Sequence, residues 1–229
     1  MKNILPSLCF ILIWTASNAQ RAKYNFNPGW KVFVGDNADA YKNDFDDSRW
    51  KNITLPYAWN EDEAFKKDIK DLSDSIAWYR KHFKIPASAK GQKIFLEFEG
   101  IRQAGEFYLN GKPIGMHENG VMAFGFDITD VAKFGNEENV IATRIDNNWD
   151  YREKATNTKY QWEDKNFNAN YGGINKNVYL HIIPRIYQTL PLYSNLQTTG
   201  VYIYADQFNI KARSATIHAE SEVDRKSVV

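Results

Sequence analysis

The stretch from Lys93 to Asp130 constrains the fold of this 229-residue chain more than any other segment. At its start, Lys93–Gly100 shows a period of two, which is typical of a β-strand with Ile94, Leu96 and Phe98 on one face. Further along, Asn110-Gly111 follows another apolar run, and both residues tolerate the positive φ angles of a two-residue β-turn. No helical periodicity separates these segments, so the sequence predicts an antiparallel, all-β domain.

Five segments between about Gly29 and Pro184 carry a pattern that is specific when they are taken together. They are WYRKHFKIP at Trp78–Pro86, FEGI with the following YLNG hairpin, GMHENG with the following FDIT, NVIATRIDN at Asn139–Asn147, and NYGGINKNVYLHI at Asn170–Ile182. This series resembles the amino-terminal sugar-binding domain of glycoside hydrolase family 2, which includes β-galactosidases, β-glucuronidases and β-mannosidases. The resemblance implies a jelly-roll β-sandwich similar to galactose-binding domains.

The character of the sequence changes after Pro184, where the resemblance implies that an immunoglobulin-like sandwich begins. Such a sandwich needs about seven strands over about 100 residues, whereas residues 187–229 contain two strand-like runs, Gly200–Ala205 and Lys211–Glu222. We therefore expect a jelly-roll sugar-binding domain at residues 20–186 and an incomplete immunoglobulin-like sandwich at 187–229. On this interpretation the chain is the front part of a longer protein.

The first 19 residues have the composition of a secretory signal peptide. Lys2 supplies the positive charge, Ile4–Trp14 supplies a short apolar run, and Ser17-Asn18-Ala19 supplies small residues for cleavage. The single cysteine, Cys9, lies inside this segment, and Leu8 before it does not suit a lipoprotein signal. The sequence predicts a periplasmic or secreted protein without disulfides and without a membrane anchor.

Charge and motif content disfavour several other functions. Lys and Arg number 29 and Asp and Glu number 28, and no basic cluster is interleaved with aromatic residues, which argues against a nucleic-acid partner. The four histidines lie far apart in sequence without metal-ligand spacing, and no glycine-rich phosphate loop occurs. We expect neither a metal nor a cofactor, and we expect Glu97 and Glu99 to lie on a solvated sheet face.

Two long polar segments, Asn60–Ser75 and Asp150–Asn170, are predicted loops between strands. Loops of this length are uncommon without a function, and binding residues concentrate on loops that a rigid scaffold holds. Sugar hydroxyls need Asp and Asn partners, and sugar C–H faces suit aromatic planes. The candidate substrate-binding residues are Asp146, Asn147, Trp162, Asp164, Asn166 and Asn168.

A purely structural interpretation of the same residues remains open, since Asn and Asp readily form Asx-turns and loop aromatics often pack. Trp50 and Trp59 are interpreted as packing residues. The family resemblance implies that the loop before Gly172-Gly173 reaches the sugar, with Asp164, Asn166 and Asn168 competing for that contact.

The favoured functional hypothesis is an exported family 2 glycoside hydrolase, with β-galactosidase as the preferred activity. A retaining enzyme of this kind needs two carboxyl groups about 5–5.5 Å apart. The resemblance implies that both are glutamates on a catalytic barrel downstream, so no residue of this chain is assigned a catalytic role. The expected partners are a carbohydrate substrate, that barrel and a second copy of the protein. The alternative is a stand-alone carbohydrate-binding module without activity.

Overall fold

The computed structural model describes residues 21–61, 75–118, 120–148, 150–159 and 171–225. The predicted signal peptide, Trp162, Asp164, Asn166 and Asn168 therefore lie outside the described residues. The strands are β1 Ala22–Asn25, β2 Trp30–Val34, β3 Lys51–Ile53, β4 Tyr57–Ala58, β5 Ile76–Phe83, β6 Lys93–Phe98, β7 Ala104–Leu109, β8 Lys112–Glu118, β9 Phe124–Asp127, β10 Asn139–Asp146, β11 Gly173–Ile174, β12 Val178–Ile183, β13 Ile186–Gln188, β14 Val201–Asn209, β15 Ser214–Ser221 and β16 Val223–Arg225.

The strands form a sandwich of two antiparallel sheets, as the sequence predicted. One sheet has the order β1-β12-β6-β9, and the other has the order β3-β2-β5-β10-β7-β8. Three smaller pairs complete the structure: β4 with β11, β13 with β16, and β14 with β15. Helical segments in the described ranges include a 3₁₀ turn at Ala87–Ala89 and a short, irregular helix, α1, at Tyr193–Leu196. None of the described helices is long and apolar enough to cross a membrane.

Phenylalanine rings from both sheets meet at the centre of the sandwich. Phe98 of β6 stacks on Phe124 of β9 with ring centroids 5.1 Å apart, and Phe107 of β7 packs edge-on against both rings. All three side chains are fully buried. Their burial joins the two sheets, and each aromatic pair adds roughly 0.5–1.5 kcal/mol beyond the buried area.

The Asn110-Gly111 hairpin is confirmed. Asn110 has φ 54° and Gly111 has φ 78°, and the two residues connect β7 to β8. The Asn110 side chain also accepts a hydrogen bond from the Val140 N–H and donates one to Asn139 Oδ1, each at 3.0 Å. The turn residue is therefore tied to β10 as well as to its own hairpin.

The second face of β6 is more buried than the sequence predicted. Phe95 packs with Tyr187, Leu190 and Leu192, which lie in and after β13. Glu97, expected in solvent, instead contacts the buried His181 ring at 2.6 Å and Lys23 at 3.1 Å. Burial favours the neutral acid, but hydrogen bonds from His181 and Lys23 outweigh it and lower the pKa of Glu97. The prediction that Glu97 lies on a solvated sheet face is wrong, because segments distant in sequence cover that face of β6.

The hairpin of β14 and β15 confirms the two predicted strands near the carboxyl end. Tyr202, Ile203, Phe208 and Ile217 on this hairpin are exposed. Whether the hairpin begins a second sandwich stays a prediction.

A buried ionic cluster anchors the segment between β2 and β3 to the outer face of the six-stranded sheet. The Asp47 carboxylate lies 2.8 Å from Arg80 Nε, 2.7 Å from Lys31 Nζ and 2.9 Å from His82 Nε2. Arg80 is fully buried and also donates to the carbonyls of Ala40 and Lys42. Burial opposes ionisation of Asp47, but hydrogen bonds from Lys31, Arg80 and His82 lower its pKa to about 2.

Replacing Asp47 with alanine should destabilise the protein by about 3–5 kcal/mol, because the fully buried Arg80 would lose its counter-charge. Chemical denaturation of the purified variant would measure this loss. The exposed Asp44, three residues away, is the matched control, and Asp44→Ala should change stability by less than about 0.5 kcal/mol. Equal effects of the two substitutions would contradict the assigned role of the cluster.

Asp47 should also make the free energy of unfolding depend on pH in the acidic range. Its carboxyl group titrates near pH 4 when unfolded and at about 2 when folded, so its contribution is complete above pH 4 and is lost as the pH falls towards 2. The difference corresponds to about 2 kcal/mol. Urea unfolding at several pH values should show the stability gap between wild type and Asp47→Asn shrinking below pH 4. A stability gap that does not change with pH would show that the charge of Asp47 does not contribute to stability.

Candidate functional site

Both predicted loops begin and end at one edge of the sandwich. The Asn147 N–H donates to the Ser75 carbonyl at 3.0 Å, which places the end of β10 beside the chain just before β5. The Gly172 N–H donates to Asn60 Oδ1 at 3.0 Å, across 112 positions of sequence. The ends of the two loops are thus held within hydrogen-bonding distance of one another, and we call this region the loop base.

Gly172 and Gly173 lie at the centre of the loop base, where there is no space for a side chain. A Cβ atom on Gly172 would lie 2.3 Å from Trp59 Nε1 and 2.6 Å from Asn147 Nδ2. A Cβ atom on Gly173 would lie 1.9 Å from the Tyr79 hydroxyl oxygen, and Gly173 also has φ +107°. Backbone geometry and space both require glycine here.

The glycine pair joins strands from different parts of the chain. The Trp59 N–H donates to the Gly172 carbonyl at 3.0 Å, and β11 pairs with β4. Gly173 exchanges two backbone hydrogen bonds with Arg102, of 2.8 and 2.9 Å. Because Arg102 precedes β7 of the six-stranded sheet, the loop base is fixed to the scaffold from two directions.

Asn147 is the most unusual polar residue of the loop base. Its side chain is fully buried, yet neither amide atom has a hydrogen-bond partner among the described residues. The adjacent Trp59 Nε1 is likewise buried without a described partner. Leaving a buried amide unpaired lowers stability by roughly 1–3 kcal/mol. A ligand, a water molecule or a loop side chain that hydrogen-bonds to these groups would therefore stabilise this edge.

Asp146, the residue before Asn147, is engaged within the protein. Its Oδ1 accepts hydrogen bonds from both the N–H and the side chain of Asn148, the first at 3.0 Å. Its backbone carbonyl accepts the Gln103 N–H at 3.3 Å. Asp146 therefore forms an Asx-type turn, as the purely structural interpretation of the sequence allowed. A sugar contact from Asp146 or Asn147 stays a prediction.

The first part of the second loop packs on the β7–β8 hairpin. The Tyr151 hydroxyl donates to Glu118 Oε1, and Lys154 Nζ lies 2.7 Å from Glu106 Oε1. Burial and the Glu118 carboxylate raise the pKa of Tyr151, so its hydroxyl remains protonated and donating at neutral pH. These contacts direct residues 150–159 along the edge of the sheet.

Comparison of this chain with known protein families identifies the family to which it belongs. A family model described as "Glycosyl hydrolase 2 galactose-binding domain-like" matches residues 49–180, which is more than half of the chain. The chain belongs to glycoside hydrolase family 2. The family 2 match confirms the resemblance that the sequence motifs predicted.

Individual relatives agree with this assignment. A protein of Formosa agariphila named "Beta-glucuronidase" is 38% identical over 92% of this chain, and one of Thermoanaerobacter pseudethanolicus named "Beta-galactosidase" is 36% identical over 69% of it. The solved structure titled "Crystal Structure of Bacteroides Uniformis beta-glucuronidase" has a TM-score of 0.77 at 28% identity over 91% of this chain. This family 2 chain spans 22%, 20% and 23% of those three proteins, respectively.

Sequence reasoning missed several residues of the loop base. Trp59 was interpreted as packing only, and Asn60, Arg102 and Gln103 were not singled out. Gln103 is almost fully buried and donates from Nε2 to the Asn148 carbonyl at 2.8 Å. A weak signal was present, because Arg102 and Gln103 are polar residues that directly follow the FEGI segment at the end of β6. Among the described residues, no group of three His, Cys, Asp or Glu side chains could hold a metal ion.

The two buried asparagines of the loop base should respond differently to truncation. Asn147→Ala removes an amide without described partners and should cost less than about 1 kcal/mol. Asn60→Ala, the matched control, leaves the buried Gly172 N–H unpaired and should cost about 1–3 kcal/mol. Denaturant unfolding of both variants tests this, and a larger loss for Asn147→Ala would mean that its amide is satisfied inside the protein.

Proposed function

We propose that this chain is the amino-terminal sandwich of an exported, retaining β-glycosidase that removes a terminal β-linked sugar. Its role is to border the sugar pocket with the two loops, while two glutamates of a downstream barrel carry out the chemistry. The observation that carries the proposal is the 38% identity over 92% of this chain to a protein named "Beta-glucuronidase".

The loop base supports this role on physical grounds. It gathers the ends of both loops at one edge of a rigid sandwich, which is the arrangement that positions binding residues well. It also contains a buried donor and acceptor set, Asn147 with Trp59 Nε1, that the described residues leave unpaired. Unpaired buried polar groups of this kind suit the hydroxyls of a sugar, directly or through water.

We propose a β-glucuronide as the first substrate and a β-galactoside as the second. The first is favoured by the name of the Formosa agariphila relative and by Arg102, whose backbone bonds Gly173 of the loop base and whose guanidinium lies beside Gly120. Arginine suits a planar carboxylate such as that of glucuronate. The second follows the sequence-based expectation and the name of the Thermoanaerobacter relative.

The full-length protein should hydrolyse 4-nitrophenyl β-D-glucuronide or the corresponding β-D-galactoside, and should leave both α-anomers intact. Proton NMR should show the β-anomer of the free sugar as the first product, as a retaining mechanism requires. Residues 20–229 alone should release no nitrophenol, since the catalytic glutamates are proposed to lie downstream.

Three results would contradict the proposal in distinct ways. Hydrolysis by residues 20–229 would place the catalytic groups in this chain. An initial α-anomer would exclude the retaining mechanism. Sugar binding by the full-length protein without hydrolysis of either β-glycoside would favour the stand-alone binding module.

A further inference from the structure

A groove of about 480 Å³ opens along β2 and β3, beginning at Trp59 of the loop base. Its volume lies within the range of small-molecule sites, about 300–1,000 Å³. The side chains that give it its chemical character are Phe33, Val34, Arg49, Lys51, Tyr57 and Trp59. Nothing in the family assignment gives this groove a function.

The walls of the groove are aromatic and firmly held. The Trp59 indole lies against the Gly172 backbone, where a Cβ atom would come within 2.3 Å of Nε1, and Phe33 stacks on the buried Trp50 with ring centroids 5.5 Å apart. The Tyr57 carbonyl accepts the Tyr79 hydroxyl at 3.0 Å. Rings that are already immobilised lose little entropy on binding, so they form a ready surface for the C–H face of a sugar ring.

Two cations border these rings. Lys51 Nζ donates to the Tyr57 hydroxyl at 2.6 Å, which orients the phenol at the edge of the groove. Arg49 is exposed and forms no ion pair with any residue in the described ranges. Its guanidinium can therefore donate two hydrogen bonds to a ligand carboxylate in the bidentate geometry that arginine favours.

We propose that this groove binds an acidic saccharide, with a sugar ring against Tyr57 and Trp59 and a uronate carboxylate on Arg49. The aromatic walls alone would accept a neutral sugar equally well. Arg49 and Lys51 add the preference for a negative charge, and the preference weakens in high salt because Arg49 is exposed. This binding does not depend on hydrolysis at the proposed catalytic site.

The test uses the full-length protein and α-1,4-linked trigalacturonic acid, with maltotriose as the neutral probe. A β-glycosidase does not cleave either α-linked probe, so calorimetry reports binding alone. Wild type should bind trigalacturonic acid at least tenfold more tightly than maltotriose at low salt. Arg49→Gln should weaken trigalacturonic acid binding about tenfold and leave maltotriose binding unchanged.

Arg213→Gln is the matched control, because Arg213 is an exposed arginine on the β14–β15 turn and does not line the groove. It should leave both affinities unchanged. The proposal is overturned if wild type does not bind trigalacturonic acid, if the two probes bind equally, or if Arg49→Gln and Arg213→Gln have the same effect. Because none of these readouts requires hydrolysis, failure here is distinguishable from failure of the proposed glycosidase activity.

Discussion

The close approach of the Gly172-Gly173 backbone to Tyr79, Trp59 and Asn147 is the constraint on which the loop base depends. At this point the chain returning from the second loop passes between β4 and Arg102, and hydrogen bonds fix it on both sides. A single Cβ on either glycine would collide with these neighbours. The described ends of the two loops are therefore joined to the sandwich and to each other at this point.

The buried ion pairs of the scaffold contrast with one buried amide at the loop base. In the scaffold, buried charge is compensated: Asp47 pairs with Arg80, and Glu97 pairs with His181. At the loop base, the buried amide of Asn147 has no described partner. Paired buried charges favour one structure, whereas a buried amide without a partner costs stability.

Much of the fold could be predicted from the sequence, because strands and tight turns are set by neighbouring residues. The period of two in β6 and β10 and the Asn110-Gly111 turn agree with the structure. The predictions were less complete where distant segments meet: β1 was not anticipated, and Glu97 is covered by His181 and Lys23 rather than by water. The loop base shows the same division, since Asn147 was singled out as a candidate whereas Trp59, Asn60 and Arg102 were not recognised as its neighbours.

The sequence by itself determined the fold class, the family and many of the strand segments, including β6 and β10, because each of these is encoded in short motifs or local periodicity. Tertiary structure alone decided which residues lie together at the loop base. Asn60 meets Gly172 across 112 positions, and Arg102 meets Gly173 through backbone atoms that carry no sequence signature. Contacts of that kind depend on how two sheets pack, and no local pattern of residue types specifies them.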